Sequence, residues 1–307
     1  MSVIGFDTSN YTTSVAVFQG ASGENYSQLL PVPAGQLGLR QSEALFAHVK
    51  GLPGLADRLF SRLDPASIAA IGVSSRPRAV EGSYMPCFLA GVSQARVLAA
   101  ALRVPVVEVS HQQGHIAAAL WSADRLDLLS KPHLAWHLSG GTTELLFVKP
   151  DGWNVACIRI GGTTDISAGQ LIDRTGQLLG LSFPAGKALD ALAAQAQGDD
   201  VFSVKCLDME FSLSGVENKV RTYLERTGSP AETAGFALRC VVQAVRLATA
   251  HARVAYPGLS VLFSGGVSSN SLLRRSMEGT DSIFCQPAYA TDNAMGVAVL
   301  TWRSLGE

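Results

Sequence analysis

Two stretches of this chain follow one plan, and together they constrain the fold more than anything else in it. Residues 3–18 read Val3-Ile4-Gly5-Phe6-Asp7-Thr8-Ser9-Asn10-Tyr11-Thr12-Thr13-Ser14-Val15-Ala16-Val17-Phe18: an apolar strand, a turn of small hydroxyl residues and a second apolar strand. Residues 134–148 repeat it as Leu134-Ala135-Trp136-His137-Leu138-Ser139-Gly140-Gly141-Thr142-Thr143-Glu144-Leu145-Leu146-Phe147-Val148. In such a turn, exposed backbone N–H groups and hydroxyls can surround an anion, and glycine lets the backbone approach it without a Cβ in the way. One Gly-Gly turn is usually an ordinary hairpin. Two at half-chain spacing predict two related halves whose facing turns clamp phosphate.

This duplication resembles the actin, sugar-kinase and Hsp70 ATPase (ASKHA) superfamily. The resemblance implies a two-lobed α/β fold with duplicated RNase H-like subdomains and a nucleotide such as ATP between them. The expected subdomains are residues 1–125 with 290–307, and residues 126–289. The composition suits two well-filled cores, with 307 residues, 47% of them hydrophobic and only 16% charged. A formal charge of −1 gives no overall electrostatic reason to bind nucleic acid, so RNA contact is expected from a local patch or a partner. The opening Met1-Ser2-Val3-Ile4-Gly5 lacks the pattern of a signal peptide and no stretch has the length of a membrane span, so a cytoplasmic protein with no membrane attachment is expected. The five cysteines, Cys87, Cys157, Cys206, Cys240 and Cys285, are scattered without C-x-x-C spacing, which predicts buried structural thiols rather than disulfides or a thiolate metal site. Without secretion, the glycosylation-like Asn-Tyr-Thr at 10–12 and Asn-Tyr-Ser at 25–27 carry no meaning.

Strand and helix patterns alternate along the chain. A helix is expected over 41–63, broken near Pro53, then a strand over 68–73 ending in the loop 74–78, a helix over 86–102, a strand over 104–109 and a helix from His111 to Trp121. The polar break 122–132 marks the domain boundary. A long helix is expected over 233–253 and a short strand over 260–263. That strand ends in Ser264-Gly265-Gly266-Val267-Ser268-Ser269-Asn270, which leads into a helix near Leu272. Such a strand-to-helix turn is suited to close approach of a purine or ribose, although a plain connecting loop would look the same.

His111-Gln112-Gln113-Gly114-His115 directly follows a predicted buried strand. On a helix its two imidazoles share a face and could reach one metal ion, although two unrelated polar positions would show the same spacing. A third ligand is needed. Acidic residues on other post-strand loops are candidates, and Asp292 stands out because it follows a strand expected near Phe284 and precedes an apolar helix. It could equally cap that helix. Two histidines and a carboxylate suit iron(II) or zinc and leave positions open for a substrate oxygen.

Taken in order, the motifs resemble those of the TsaD family of tRNA threonylcarbamoyl transferases, formerly described as glycoproteases. His111–His115 matches H-x-E-G-H, and Ser139–Thr143 matches S-G-G-H-T. Asp165–Arg174 resembles D-D-A-A-G-E-A-F-D-K, Leu178–Gly186 resembles L-L-G-L-x-Y-P-G-G, and Phe211–Gly215 resembles F-S-F-S-G. Ser264–Asn270 resembles A-G-G-V-x-x-N, and Ala290–Asn293 resembles C-T-D-N. The resemblance implies a divalent metal, iron or zinc, held by His111, His115 and Asp292. It implies catalytic roles for Asp7, His111 and His115. It also implies ATP or an adenylate contacted by Leu138, Ser139, Gly140, Gly141 and Thr142, by Asp173 at a ribose hydroxyl, and by Gly186, Gly265, Gly266 and Asn270. For Asp173 the alternative is a solvated helix face paired with Arg174.

The implied reaction carries a threonylcarbamoyl group from threonylcarbamoyl-adenylate to the adenosine next to the tRNA anticodon. Its implied partners are tRNA, an adenylate-generating enzyme and a TsaB-like subunit. The chain departs from the family at several points. The opening E-T-S-C-D-E-T has lost its acidic pair at Tyr11 and Thr12, G-P-G has become Arg76-Pro77-Arg78, and the histidine of S-G-G-H-T is Thr142. Two arginines bind phosphate or carboxylate in a way that glycine cannot, so altered substrate handling is expected of a divergent member or paralogue. The alternatives are a transferase or ATPase of the same fold with another acceptor, and a non-catalytic partner subunit, against which the histidine pair and Asp292 argue. A protease is not expected, since no nucleophile–base pair or H-E-x-x-H is present.

Overall fold

The structure, a computed structural model, describes residues 1–9, 11–31, 39–279, 281–291 and 293–306. The first hairpin forms β1 (Ser2–Asp7) and β2 (Thr12–Phe18), followed by β3 (Gly23–Leu29), α1 (Gln41–Phe60), β4 (Ile68–Arg76), α2 (Phe88–Leu102), β5 (Val106–Ser110) and α3 (His111–Ser122). The second hairpin forms β6 (His133–Leu138) and β7 (Thr143–Asp151), followed by β8 (Asn154–Thr163), α4 (Ala168–Leu178), α5 (Gly186–Ala193), β9 (Cys206–Leu207), β10 (Glu210–Phe211), α6 (Ser214–Thr227) and α7 (Pro230–Ala255). The chain then runs through β11 (Val261–Ser264), α8 (Ser271–Met277), β12 (Ser282–Phe284) and α9 (Met295–Ser304).

These elements make two compact units, one of Met1–Pro132, Lys149–Cys157 and Asp292–Glu307, the other of His133–Val148 and Ile158–Thr291. Among the described residues, the first unit's sheet has the order β3-β2-β1-β4-β5. The hairpin strands pair antiparallel, and β4 and β5 are added in parallel. In the second sheet, β8-β7-β6-β11-β12 repeats that order, with β10 and β9 extending one edge. There too the hairpin pair β6 and β7 is antiparallel, and β11 and β12 are parallel additions. The duplication announced by two turns therefore extends to the strand order of both halves.

In the first unit, Ile4, Phe6 and Val15 of the hairpin pack with Leu52, Leu55 and Leu59 of α1 and with Ala90, Ala95 and Ala99 of α2. That burial explains why α1 runs unbroken through Pro53, where a break is expected from sequence. A proline inside a helix costs about 3 kcal/mol through its missing N–H and its clash with the preceding turn. Leu52, Leu55 and Leu59, each no more than 3% exposed, hold one face on both sides of it. Each contributes roughly 1.5–3 kcal/mol, which outweighs the defect. Strand β4 likewise continues to Arg76 through residues expected to be loop, because Ser74 and Arg76 keep pairing with Val109 and Ser110 across a bulge.

The second unit is organised around Trp136, fully buried on β6, whose Nε1 donates to Thr249 Oγ1 of α7 at 2.9 Å. Helix α7 begins at Pro230, three residues before the expected start, because Ser229 caps it and proline is preorganised for a first turn. All five cysteines are free thiols. Burial pushes the Cys157 thiol up to about 12 and Cys240 up to about 11, so they stay protonated. Among the described residues, no helix is long and apolar enough to cross a membrane.

Candidate active site

Two strand ends of the first unit, those of β1 and β5, meet in one cluster. Asp7 closes β1 and is 1% exposed. Its Oδ1 accepts the Ser9 N–H at 2.8 Å, and its Oδ2 lies 2.7 Å from Nδ1 of His111, the first residue of α3. The spacing of four places His115 on the same face, with the two imidazole centroids 4.3 Å apart and nearly perpendicular. The helix start is locked by a reciprocal cap, in which Ser110 Oγ accepts from Gln113 N while Gln113 Oε1 accepts from Ser110 N. The amide of Gln113 also donates to Val155 O at 2.7 Å, a bond that the glutamate of the family motif could not make. Ser9 Oγ and Ser74 Oγ are buried without hydrogen-bond partners among the described residues, and Ser74 directly follows Val73, the register partner of Phe6.

The donor set suits a divalent cation, since two imidazoles share a helix face and one of them is oriented by a carboxylate. Among the described residues, no group of three metal-binding side chains is assembled. Asp292, the expected third ligand, lies outside the described residues, as does Asn10 of the first turn. At the start of α9 the Met295 N–H is met by Asn293 Oδ1. Arg76 and Arg78 are exposed at the end of β4, and their loop is tied to α3 by the Gln112 N–H donating to Pro77 O at 3.0 Å.

The residues expected at a nucleotide all fall in the second unit. Leu138 is buried at the end of β6. The turn beyond it is closed by Ser139 N donating to Thr142 O at 2.8 Å and Thr142 N donating to Ser139 Oγ at 3.1 Å. Ser167 Oγ holds Gly140 O at 2.6 Å, and an added Cβ at Gly140 or Gly141 would meet nothing within 4 Å. The turn is open at both glycines. Gly265 has φ +87° and ψ 157°, and its missing side chain makes way for the backbone of Leu138, while Gly266 opens the short turn that follows.

Asp173 of α4 is half-buried and accepts the Ala185 N–H at 2.8 Å, just before Gly186 opens α5. Burial raises its carboxyl above the usual range, against that hydrogen bond. It is not paired with Arg174, which instead binds Glu217 at 2.6 Å. Asn270 has its Oδ1 occupied in capping α8 at Leu273 N, and its Nδ2 donates to Asp190 at 2.8 Å. Asp190 also accepts from the Ser271 N–H and hydroxyl, both at 3.0 Å.

Two carboxylates, Asp165 inside a motif and Asp190 outside them, escaped the sequence-based site because their partners lie far along the chain. Burial disfavours the charge of Asp165, but hydroxyls of Ser212 and Ser214 with the N–H groups of Leu213 and Ile166 outweigh it and hold the carboxyl at about 2. Asp165 thereby joins two of the motifs. Because its folded value is depressed, the stabilisation it provides is complete above about pH 4, the ordinary aspartate range, and is lost as pH falls through about 2. In the double variant Ser212→Ala/Ser214→Ala, its carboxyl resonance in an NMR titration is expected to move back toward the ordinary range. An unmoved titration would refute the assignment.

Both halves share the 3-2-1-4-5 strand order, with the hairpin turn and the post-strand groups at the strand ends, which defines an actin-like, sugar-kinase and Hsp70 ATPase fold. Solved structures agree. Full-length HypF in its phosphate- and nucleotide-bound form superposes with a TM-score of 0.64 at 14% identity, covering 100% of this chain and 46% of that one. A ROK family glucokinase from Streptomyces griseus, in complex with glucose and AMPPNP, gives 0.54 at 13% identity over 99% of this chain and 100% of that one. The present chain thus spans about half of HypF. Residues 35–299 match the family model TsaD, tRNA N6-adenosine threonylcarbamoyltransferase.

Proteins bearing that family name include one from Anaeromyxobacter sp. (strain Fw109-5), 32% identical over 82% of this chain and 78% of its own length. That from Enterococcus faecalis is 32% identical over 71% of this chain and 62% of its own length, and that from Pelodictyon phaeoclathratiforme 31% identical over 98% and 91%. The chain belongs to the TsaD family of transferases that act on tRNA.

Proposed function

We propose that this protein transfers a threonylcarbamoyl group from threonylcarbamoyl-adenylate to N6 of the adenosine beside the tRNA anticodon, using a bound iron or zinc ion. The arrangement of Asp7, His111 and His115 at the strand ends, in a chain of this family, carries the reading. In the reaction the N6–C bond forms, the bond from the carbamoyl carbon to the phosphate oxygen breaks, AMP leaves with the electron pair, and the amine proton is lost. His111, His115 and Asp292 would hold the ion, which when bound supplies Lewis acidity to the carbonyl. The Gly140-Gly141 turn offers backbone N–H groups to the phosphate of the leaving nucleotide, and the half-buried Asp173 holds a ribose hydroxyl.

With a formal charge of −1, the chain needs a TsaB-like partner subunit to engage tRNA and a separate enzyme to make the adenylate, all in the cytoplasm. The test is mass spectrometry of tRNA nucleosides after reconstitution with those partners from the same source. Modified adenosine is expected only in the full mixture. Robust modification by the chain alone would refute the partner argument. No modification by the full mixture with metal and nucleotide bound would overturn the tRNA reading and point to another acceptor, in keeping with the exposed arginines at 76 and 78 and the lost acids at Tyr11 and Thr12.

A further inference from the structure

The geometry of the strand-end cluster points to a role for Asp7 other than catalysis. We propose that Asp7 is a positioning residue that fixes His111 as the tautomer protonated on Nδ1, so that Nε2 carries the lone pair a cation requires. The use of that lone pair rests on the metal reading above, whereas the tautomer itself does not.

A carboxylate only accepts hydrogen bonds, so the 2.7 Å contact from Asp7 Oδ2 to His111 Nδ1 places the ring proton on Nδ1. The second oxygen is committed to the Ser9 N–H at 2.8 Å, which prevents the carboxylate from turning away. Asp7 is 1% exposed and the His111 side chain 14%, so little water competes for the contact. The ring is also flanked by Phe88, at a centroid distance of 6.1 Å, and by His115. The Ser110–Gln113 cap fixes the backbone from which His111 projects. Asp7 is thus anchored at one oxygen and aims the other at one nitrogen, the arrangement by which an outer carboxylate orients a metal-binding imidazole.

A purely structural role, tying β1 to α3, would require only some hydrogen bond between the two residues. Asp7→Asn separates the two accounts. Its carbonyl oxygen still accepts from Ser9 N–H, which leaves the NH2 group facing His111. Nδ1 must then accept, and the ring proton moves to Nε2. The fold keeps its hydrogen bond while the tautomer inverts.

Long-range 1H–15N spectra of the metal-free protein above pH 8 are expected to show His111 protonated on Nδ1 in the wild type and on Nε2 in Asp7→Asn, with Asp7→Glu restoring the Nδ1–H form. Zinc affinity, measured by competition with a chelating dye, is expected to fall roughly 10–100-fold in Asp7→Asn and to recover in Asp7→Glu. An Nε2–H ring in the wild type, or an unchanged tautomer in Asp7→Asn, would overturn the proposal. So would wild-type zinc affinity in Asp7→Asn when His115→Ala has lost it. Zinc binding equal in the wild type and His115→Ala would overturn the metal reading instead, and the spectra would still decide what Asp7 does.

Discussion

Gly265→Ala is expected to destabilise the second unit by about 3–5 kcal/mol, whereas Gly141→Val leaves stability unchanged and weakens nucleotide binding. At φ +87° and ψ 157°, Gly265 occupies a backbone region that costs an L-residue about 1–3 kcal/mol. The added Cβ would also stand 2.2 Å from Leu138 O and 2.9 Å from Leu138 N. These are backbone atoms at the end of a fully buried central strand, so they have little room to retreat, and overpacking adds about 1–3 kcal/mol. For a unit of this size, the thermal midpoint should fall by roughly 10 °C.

Gly141 is the opposite case. A Cβ there meets nothing within 4 Å, so the fold gives no reason for glycine. If the turn carries phosphate, a branched side chain fills the ligand's space, and calorimetry with ATP and AMP should show affinity lowered at least about tenfold at an unchanged melting temperature. A wild-type midpoint for Gly265→Ala would refute the packing account, and unchanged affinity for Gly141→Val would refute the phosphate placement.

The second large effect is expected at His115. The purified wild type should carry about one iron or zinc per chain, and His115→Ala should lose it along with activity, by a factor of about a hundred or more. A ligand set reduced by one imidazole loses both the donor and the geometry it imposed, while His111, held by Asp7, remains in place. Because His115 is only 4% exposed, the variant leaves a small cavity, and its melting curve shows how much of the activity loss is unfolding. Elemental analysis of both proteins is the measurement. Equal metal content would remove His115 from the ligand set.

Much of the architecture was legible because it is written in local patterns. Apolar alternation on either side of a small-residue turn marks a hairpin wherever it occurs, and its recurrence from Leu134 announced the second half. The helix expected from His111 after a buried strand is present, and the Ser110–Gln113 cap that starts it is local too. Where local signals misled, burial overrode them: the proline at position 53 marks a helix end on its own, but the leucines around it bury the same face on both sides.

The sequence by itself determined the strand-and-helix order, the duplicated hairpins and the types of residue available for chemistry, because these depend on neighbours within a few positions. Only the tertiary structure decided how those residues are used. The contact between Asp7 and His111 spans 104 positions, that between Asp190 and Asn270 spans 80, and Asp165 meets Ser212 across 47. None of these separations has a period that sequence could reveal, since Asp7 and His111 meet where β1 and β5, with β4 between them, end on the same side of one sheet, and the other pairs meet where distant segments close on a common carboxylate. Glycine shows the same division. Composition cannot tell Gly141 from Gly265, because a glycine kept clear for a ligand and one pressed against a strand differ only in what the folded chain places where the Cβ would be.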